Sequence, residues 1–158
     1  MMDILMVCTG NICRSPMAEG LLRHMLPENL KLKVHVHSAG THGLDDQPAA
    51  SFAIQAAAEM GVDIAGHRAR SLDPEMVSQA DLILVMEPFH REIVARVVRP
   101  EEGDRLRLLA DFETPRQSDT IDDPYNHSLK VYRACLNRIR DCLGGVLPYL
   151  TSERQPND

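Results

Sequence analysis

Apolar and polar positions follow two rhythms along this chain, and the rhythms mark strands and helices. Asp3 to Val7 is an almost unbroken apolar run, the pattern of a strand buried on both faces. Met17, Leu21 and Met25 then recur at helical spacing. Pro16 suits the first helical position of that segment and Pro27 ends it. Lys33 to His37 predicts a second strand. Pro48 opens a further helix with Phe52, Ala56 and Met60 on one face, stopped by Gly61. Asp73 before Pro74 is an N-cap signal, so a short helix runs towards Gln79. Asp81 to Met86 predicts a third strand, Pro88 to Val98 a helix, and Leu106 to Leu109 a fourth strand. Tyr132, Cys135, Ile139, Cys142 and Val146 form the apolar stripe of a C-terminal helix, whose end Gly144-Gly145 weakens.

Strands alternating with helices predict an α/β fold, a parallel sheet covered on both faces. The 158 residues hold no repeat, low-complexity block or linker. A single domain over residues 1–150 is expected, with a disordered tail from Thr151 to Asp158. Asp111 to His127 is polar and Pro-containing and reads as a long loop; loops of that length in a compact domain usually carry function.

Composition narrows the partners. Aromatic residues make up 4%, so the core is built from Leu, Val, Ile, Met and Ala. A formal net charge of −6 argues against nucleic acid or an anionic membrane surface. The Met-Met-Asp start lacks the basic flank of a signal peptide. No stretch approaches the roughly 20 apolar residues of a membrane span. Four cysteines do not make a disulfide scaffold here, and a reducing cytoplasm with no membrane insertion is the expectation. The histidines show no metal-ligand spacing and no Cys-x-x-Cys occurs, so neither metal nor cofactor is expected.

The chemistry concentrates in residues 7–17, Val-Cys-Thr-Gly-Asn-Ile-Cys-Arg-Ser-Pro-Met. Cys8 falls where the first strand ends, at the carboxyl rim where such sheets bind ligands. Backbone N–H groups of the loop and the following helix N-terminus converge on one point, a setting for an anion. Reactive cysteines occupy such electropositive surroundings. Arg14 offers a planar fork of donors that matches two phosphate oxygens. Gly10 and Asn11 tolerate the positive φ that a tight loop needs. The arrangement reads as a nucleophile facing a bound phosphate.

Cys8 through Pro16 resembles the phosphate loop of the low-molecular-weight protein tyrosine phosphatases, and Asp122-Asp123-Pro124-Tyr125 resembles their acid loop. Ser38-Ala39-Gly40, His67-Arg68-Ala69-Arg70 and Asp81 to Met86 also fall in family order. The resemblance implies a flavodoxin-like, four-stranded parallel sheet. It implies that Cys8 attacks phosphorus to give a phosphocysteine, Arg14 clamps the transferring group, and Asp123 serves as general acid and then base. Thr9, Gly10, Asn11, Ile12, Cys13 and Ser15 would cradle the substrate. Ser15 either caps the helix or hydrogen-bonds the departing Cys8 thiolate. Asn11, Ser38 and His67 would form a supporting polar network. Cys13 either packs under the loop or traps an oxidised Cys8 as a disulfide.

Tyr125 would form one wall of the cleft. Eukaryotic members place a Trp on the other, and this chain has none; Leu44 takes that place, with His42 nearby. That looks like the bacterial subgroup associated with tyrosine kinases of exopolysaccharide export. The implied partner is a phosphotyrosine-containing protein, such as an autophosphorylating kinase. Three other readings compete. A thioredoxin-coupled arsenate reductase would need resolving cysteines before the acid loop, and none lies between Cys13 and Cys135. A protein arginine phosphatase would tend to carry Thr where Ile12 stands. A silent phosphotyrosine-binding module would bind without turnover.

Overall fold

Successive side chains of the first strand leave the sheet in opposite directions and enter separate cores. Ile4, Met6 and Cys8 pack with Met17, Leu21, Tyr132, Ile139 and Val146. Leu5 and Val7 pack with Val77, Ile83, Val85 and Val94 on the other face. Such two-sided burial explains why the strand reads as a continuous apolar run.

The computed structural model describes residues 1–151. Its elements are β1 (Met2–Cys8), α1 (Arg14–Met25), α2 (Glu28–Lys31), β2 (Val34–Gly40), α3 (Ser51–Glu59), α4 (Pro74–Gln79), β3 (Leu82–Val85), α5 (Pro88–Ala95), β4 (Leu106–Leu108) and α6 (Leu129–Thr151). The four strands form one sheet in the order β2-β1-β3-β4. All pairings are parallel, with Cys8 opposite Gly40 and Val7 opposite Val85. This is the four-stranded α/β architecture the sequence predicts. The reversal of strand order at β1 puts Cys8 at the position where doubly wound sheets bind ligands.

Several boundaries differ from expectation, each for a local reason. The helix after Pro48 starts at Ser51, because Ala50 still has extended backbone. Pro27 ends α1 but also leads into the one-turn α2. Asp73 caps α4 as read, accepting from the Met76 N–H at 2.8 Å. Gly144-Gly145, expected to weaken the end of α6, lie within it, and the helix continues through Pro148 to Thr151. A Cβ at Gly145 would lie 2.0 Å from the Phe112 carbonyl oxygen, so close packing calls for glycine there. Thr151, expected in the tail, closes the helix; the rest of that expected tail lies outside the described residues.

Candidate active site

β1 stops at Cys8 and α1 starts at Arg14, so residues 9–13 must wrap the helix N-terminus. Asn11 makes the turn with φ 61°. Gly10, expected to share that role, does not have positive φ; a Cβ there would meet the Leu44 Cδ1 at 3.4 Å, ordinary contact. The segment leaving β2 grips the loop from outside. Thr41 donates to the Cys8 carbonyl (2.9 Å), His42 to Thr9 (2.9 Å), Leu44 to Gly10 (3.0 Å) and Ala50 to Ile12 (2.8 Å). In each bond the loop contributes its carbonyl, which leaves its N–H groups for an anion. The fit is tight at Gly40, where a Cβ would lie 2.3 Å from the Thr9 carbonyl oxygen.

One polar chain fixes the direction of hydrogen bonds under the loop. The Arg70 main-chain N–H can only donate, and it meets Asn11 Oδ1 at 2.9 Å. Asn11 Nδ2 therefore faces the serines, donating to Ser15 Oγ at 2.7 Å and Ser38 Oγ at 2.9 Å. Ser15 Oγ also lies 2.9 Å from Cys8 Sγ. Ser15 Oγ accepts from Asn11 and keeps its own proton, and a Cys8 thiolate can only accept, so Ser15 is the donor to the ionised sulfur. Ser38 likewise donates onward, to Glu19 at 2.6 Å. His67 Nε2 donates to the Asn11 carbonyl at 2.7 Å. The structure thus brings Asn11, Ser38 and His67 together and adds Ser15, Glu19 and Arg70.

Arg14 is buried, and its Nη1 donates to Glu87 Oε2 and to the Ile121 carbonyl, both at 2.7 Å. Its Nη2 lies 3.7 Å from Asp123 Oδ2. Burial works against the guanidinium charge, yet Cys8, Glu87 and Asp123 outweigh it and hold Arg14 above its usual range. The Ile121 N–H donates to the Met86 carbonyl at 2.9 Å, tying the acid loop to the end of β3. Arg138 binds the carbonyls of Ser118 and Thr120 and the buried Glu113 carboxylate. Burial opposes the Glu113 charge, but the bonds from Arg138 and Gln117 hold that carboxyl below its usual range.

Asp123 remains accessible, with its side chain 47% exposed, while Oδ1 accepts from the Tyr125 N–H at 3.1 Å. A cleft of about 280 Å³ joins Cys8, Thr9, Gly10, Ile12, Cys13, Arg14, His42, Leu44, Asp123 and Tyr125. Asp122 does not line it; its carbonyl instead faces the Cys135 thiol. A wider groove of about 730 Å³ runs past Glu19, Arg23, His24 and His67 but has no cysteine in its lining, so we place the chemistry in the smaller cleft. Cys13 meets the Tyr132 hydroxyl at 3.3 Å, and burial pushes its thiol up to about 11. Burial likewise raises Cys135 and Cys142 to about 12 each, in keeping with their place in the core.

Sequence reasoning missed Glu87 and His90. Glu87 directly follows the β3 segment and precedes Pro88, a charged residue at the same carboxyl rim as Cys8, and that position was its signal. His90 is fully buried on α5 and shares a 2.9 Å hydrogen bond with Thr9 Oγ1. Burial and the nearby Arg14 charge lower it to about 4, so it is neutral at pH 7.

Known proteins resemble this chain over most of its length. The chain is 44% identical over 146 residues to the probable low molecular weight protein-tyrosine-phosphatase EpsP of Ralstonia solanacearum, covering 92% of this chain and 93% of that protein. It is 32% identical to the protein-arginine-phosphatase of Bacillus subtilis, covering 98% of this chain and 100% of that protein. The structure of the Erwinia amylovora tyrosine phosphatase amsI superposes with a TM-score of 0.83 at 33% identity, covering 95% of this chain and 93% of that one. Residues 3–156 match the family described as low molecular weight phosphotyrosine protein phosphatase, and the chain belongs to that family.

Proposed function

We propose that this protein is a cytoplasmic, cysteine-dependent protein tyrosine phosphatase working through a phosphocysteine. The observation that carries the reading is Cys8 Sγ lying 2.9 Å from Ser15 Oγ, in a cleft shared with Arg14 and Asp123. The phosphate of the substrate binds the loop N–H groups and the Arg14 fork. Cys8 sulfur attacks phosphorus while Asp123 passes its proton to the leaving phenolic oxygen. The S–P bond forms as the P–O bond breaks. Asp123, now a carboxylate, takes a proton from a water whose oxygen attacks phosphorus. The thiolate leaves with the Ser15 hydrogen bond on its sulfur, and inorganic phosphate is released. Arg14, held by Glu87 and Ile121, stabilises charge on the transferring oxygens without reorganising.

Ile12, Leu44 and Tyr125 give the cleft apolar walls, which suit a phenyl ring. The proposed partner is a phosphotyrosine-containing protein, with an autophosphorylating kinase of exopolysaccharide export as the candidate. That candidate rests on Leu44 standing where eukaryotic members carry Trp.

The similarity to an arginine phosphatase favours a second reading of the substrate. Ile12 weighs against it: its apolar side chain lines the cleft where arginine phosphatases tend to carry Thr, and with Leu44 and Tyr125 it suits a phenol better than a guanidinium. Turnover of a phosphotyrosyl peptide and a phosphoarginyl peptide of equal sequence tests the assignment. Higher kcat/KM for phosphotyrosine is expected, and the reverse order overturns it.

A further inference from the structure

Asp3, His35 and His37 gather on one face at the edge of the sheet. β2 is an outer strand, and its register sets Asp3 directly opposite His35. Residues two apart on a strand share a face, so His37 joins them. The three potential ligand atoms all lie within 4.8 Å of one another. His37 Nε2 is 2.5 Å from Asp3 Oδ1, and the two imidazole centroids are 4.8 Å apart. Separations in the sequence hid this cluster, because it is assembled by strand alternation and parallel register.

We propose that Asp3, His35 and His37 bind a first-row divalent cation, with Zn²⁺ the ion suited to two imidazoles and one carboxylate. Ligand bonds to zinc of about 2.0–2.2 Å place neighbouring donors about 3.4 Å apart in a tetrahedron. The Asp3–His37 pair opens by about 1 Å to admit the ion. The exposed His35 is free to swing its ring in, and water completes the shell. The Asp81 carboxylate, which accepts from the Asp3 N–H at 2.8 Å, adds negative charge nearby.

The site is coupled to the phosphate loop through a proton. Arg70 Nη2 lies 2.5 Å from His37 Nδ1 and can only donate, so the neutral ring carries its proton on Nε2 and donates it to Asp3. An ion at Nε2 displaces that proton, which moves to Nδ1. A protonated Nδ1 no longer accepts from Arg70. The ion and the Arg70–His37 bond therefore exclude one another. Arg70 also holds the Ser38 carbonyl at 3.0 Å and Asn11 Oδ1 at 2.9 Å, so occupancy releases one end of a residue that braces the loop.

Titration calorimetry with Zn²⁺ at pH 7.5, and Co²⁺ absorption in the visible, test the site in Cys8→Ser protein, which removes the competing nucleophile. One equivalent should bind, and His35→Ala and Asp3→Asn should each weaken binding by at least about tenfold while leaving the melting curve cooperative. His35→Ala in otherwise native protein should keep its phosphatase turnover. Zn²⁺ binding of equal affinity in Cys8→Ser and its His35→Ala derivative overturns the proposal, as does no binding at all.

Discussion

Ser15 Oγ sits within hydrogen-bond reach of both Asn11 and Cys8. The Asn11 amide donates to Ser15 Oγ at 2.7 Å, which leaves the Ser15 proton for a Cys8 thiolate, a group that can only accept, at 2.9 Å. A hydrogen bond to a charged group is worth about 1.5–3 kcal/mol, or roughly 10- to 100-fold in rate. Ser15→Ala should lower kcat by that factor. Loss of the bond falls hardest on the step where the thiolate leaves, so rapid-mixing experiments should show a burst of phenol followed by slow turnover. A uniform loss without a burst contradicts the role.

Glu87 is the side chain that fixes the Arg14 fork from the β3 side, at 2.7 Å. Glu87→Gln keeps the shape and removes the charge. It should cut kcat/KM for an aryl phosphate by about tenfold or more, because one charge-assisted bond to a buried guanidinium is weakened. Steady-state kinetics together with a thermal melt separate this from simple unfolding.

Gly40 faces the phosphate loop across β2. A Cβ there would meet backbone atoms, the Thr9 carbonyl oxygen at 2.3 Å and the Asn11 nitrogen at 3.0 Å, neither of which swings aside. Gly40→Ala should destabilise the fold by about 1–3 kcal/mol and weaken phosphate binding. Denaturant unfolding, and inhibition by inorganic phosphate, provide the two readouts.

The sheet and most helices were legible because their signals are local. The apolar run Ile4–Val7, the Asp73-Pro74 cap and the stripe from Tyr132 to Val146 each follow from periodicity or capping within a few residues. Most members of the cleft were legible through two motifs, the loop from Cys8 to Ser15 and the Asp123-Pro124-Tyr125 segment, and His42 and Leu44 through their place after Ser38-Ala39-Gly40. What escaped was long-range. Glu87 reaches Arg14 across 73 positions, and His90 reaches Thr9 across 81. The need for glycine at position 145 comes from Phe112 packed against α6, a contact no helix propensity contains.

His90 supplies a pH dependence of stability. Its folded value is lowered to about 4 from 6.5, so the unfolded chain binds more protons between those limits. Its contribution is complete above about pH 6.5 and is lost as pH falls towards 4. The loss amounts to about 2–3 kcal/mol across the window. His90→Gln should flatten the slope of unfolding free energy against pH in that range. An unchanged slope contradicts the assignment.

The most direct test of the central claim compares wild type, Cys8→Ser and Asp123→Ala on a small aryl phosphate at mildly acidic pH with EDTA. The account predicts chelator-resistant turnover in wild type and a fall of at least about 10⁴ in Cys8→Ser. Asp123→Ala should fall by about 10²–10⁴, the range for a lost general acid. Normal turnover in Cys8→Ser would contradict the thiolate mechanism outright.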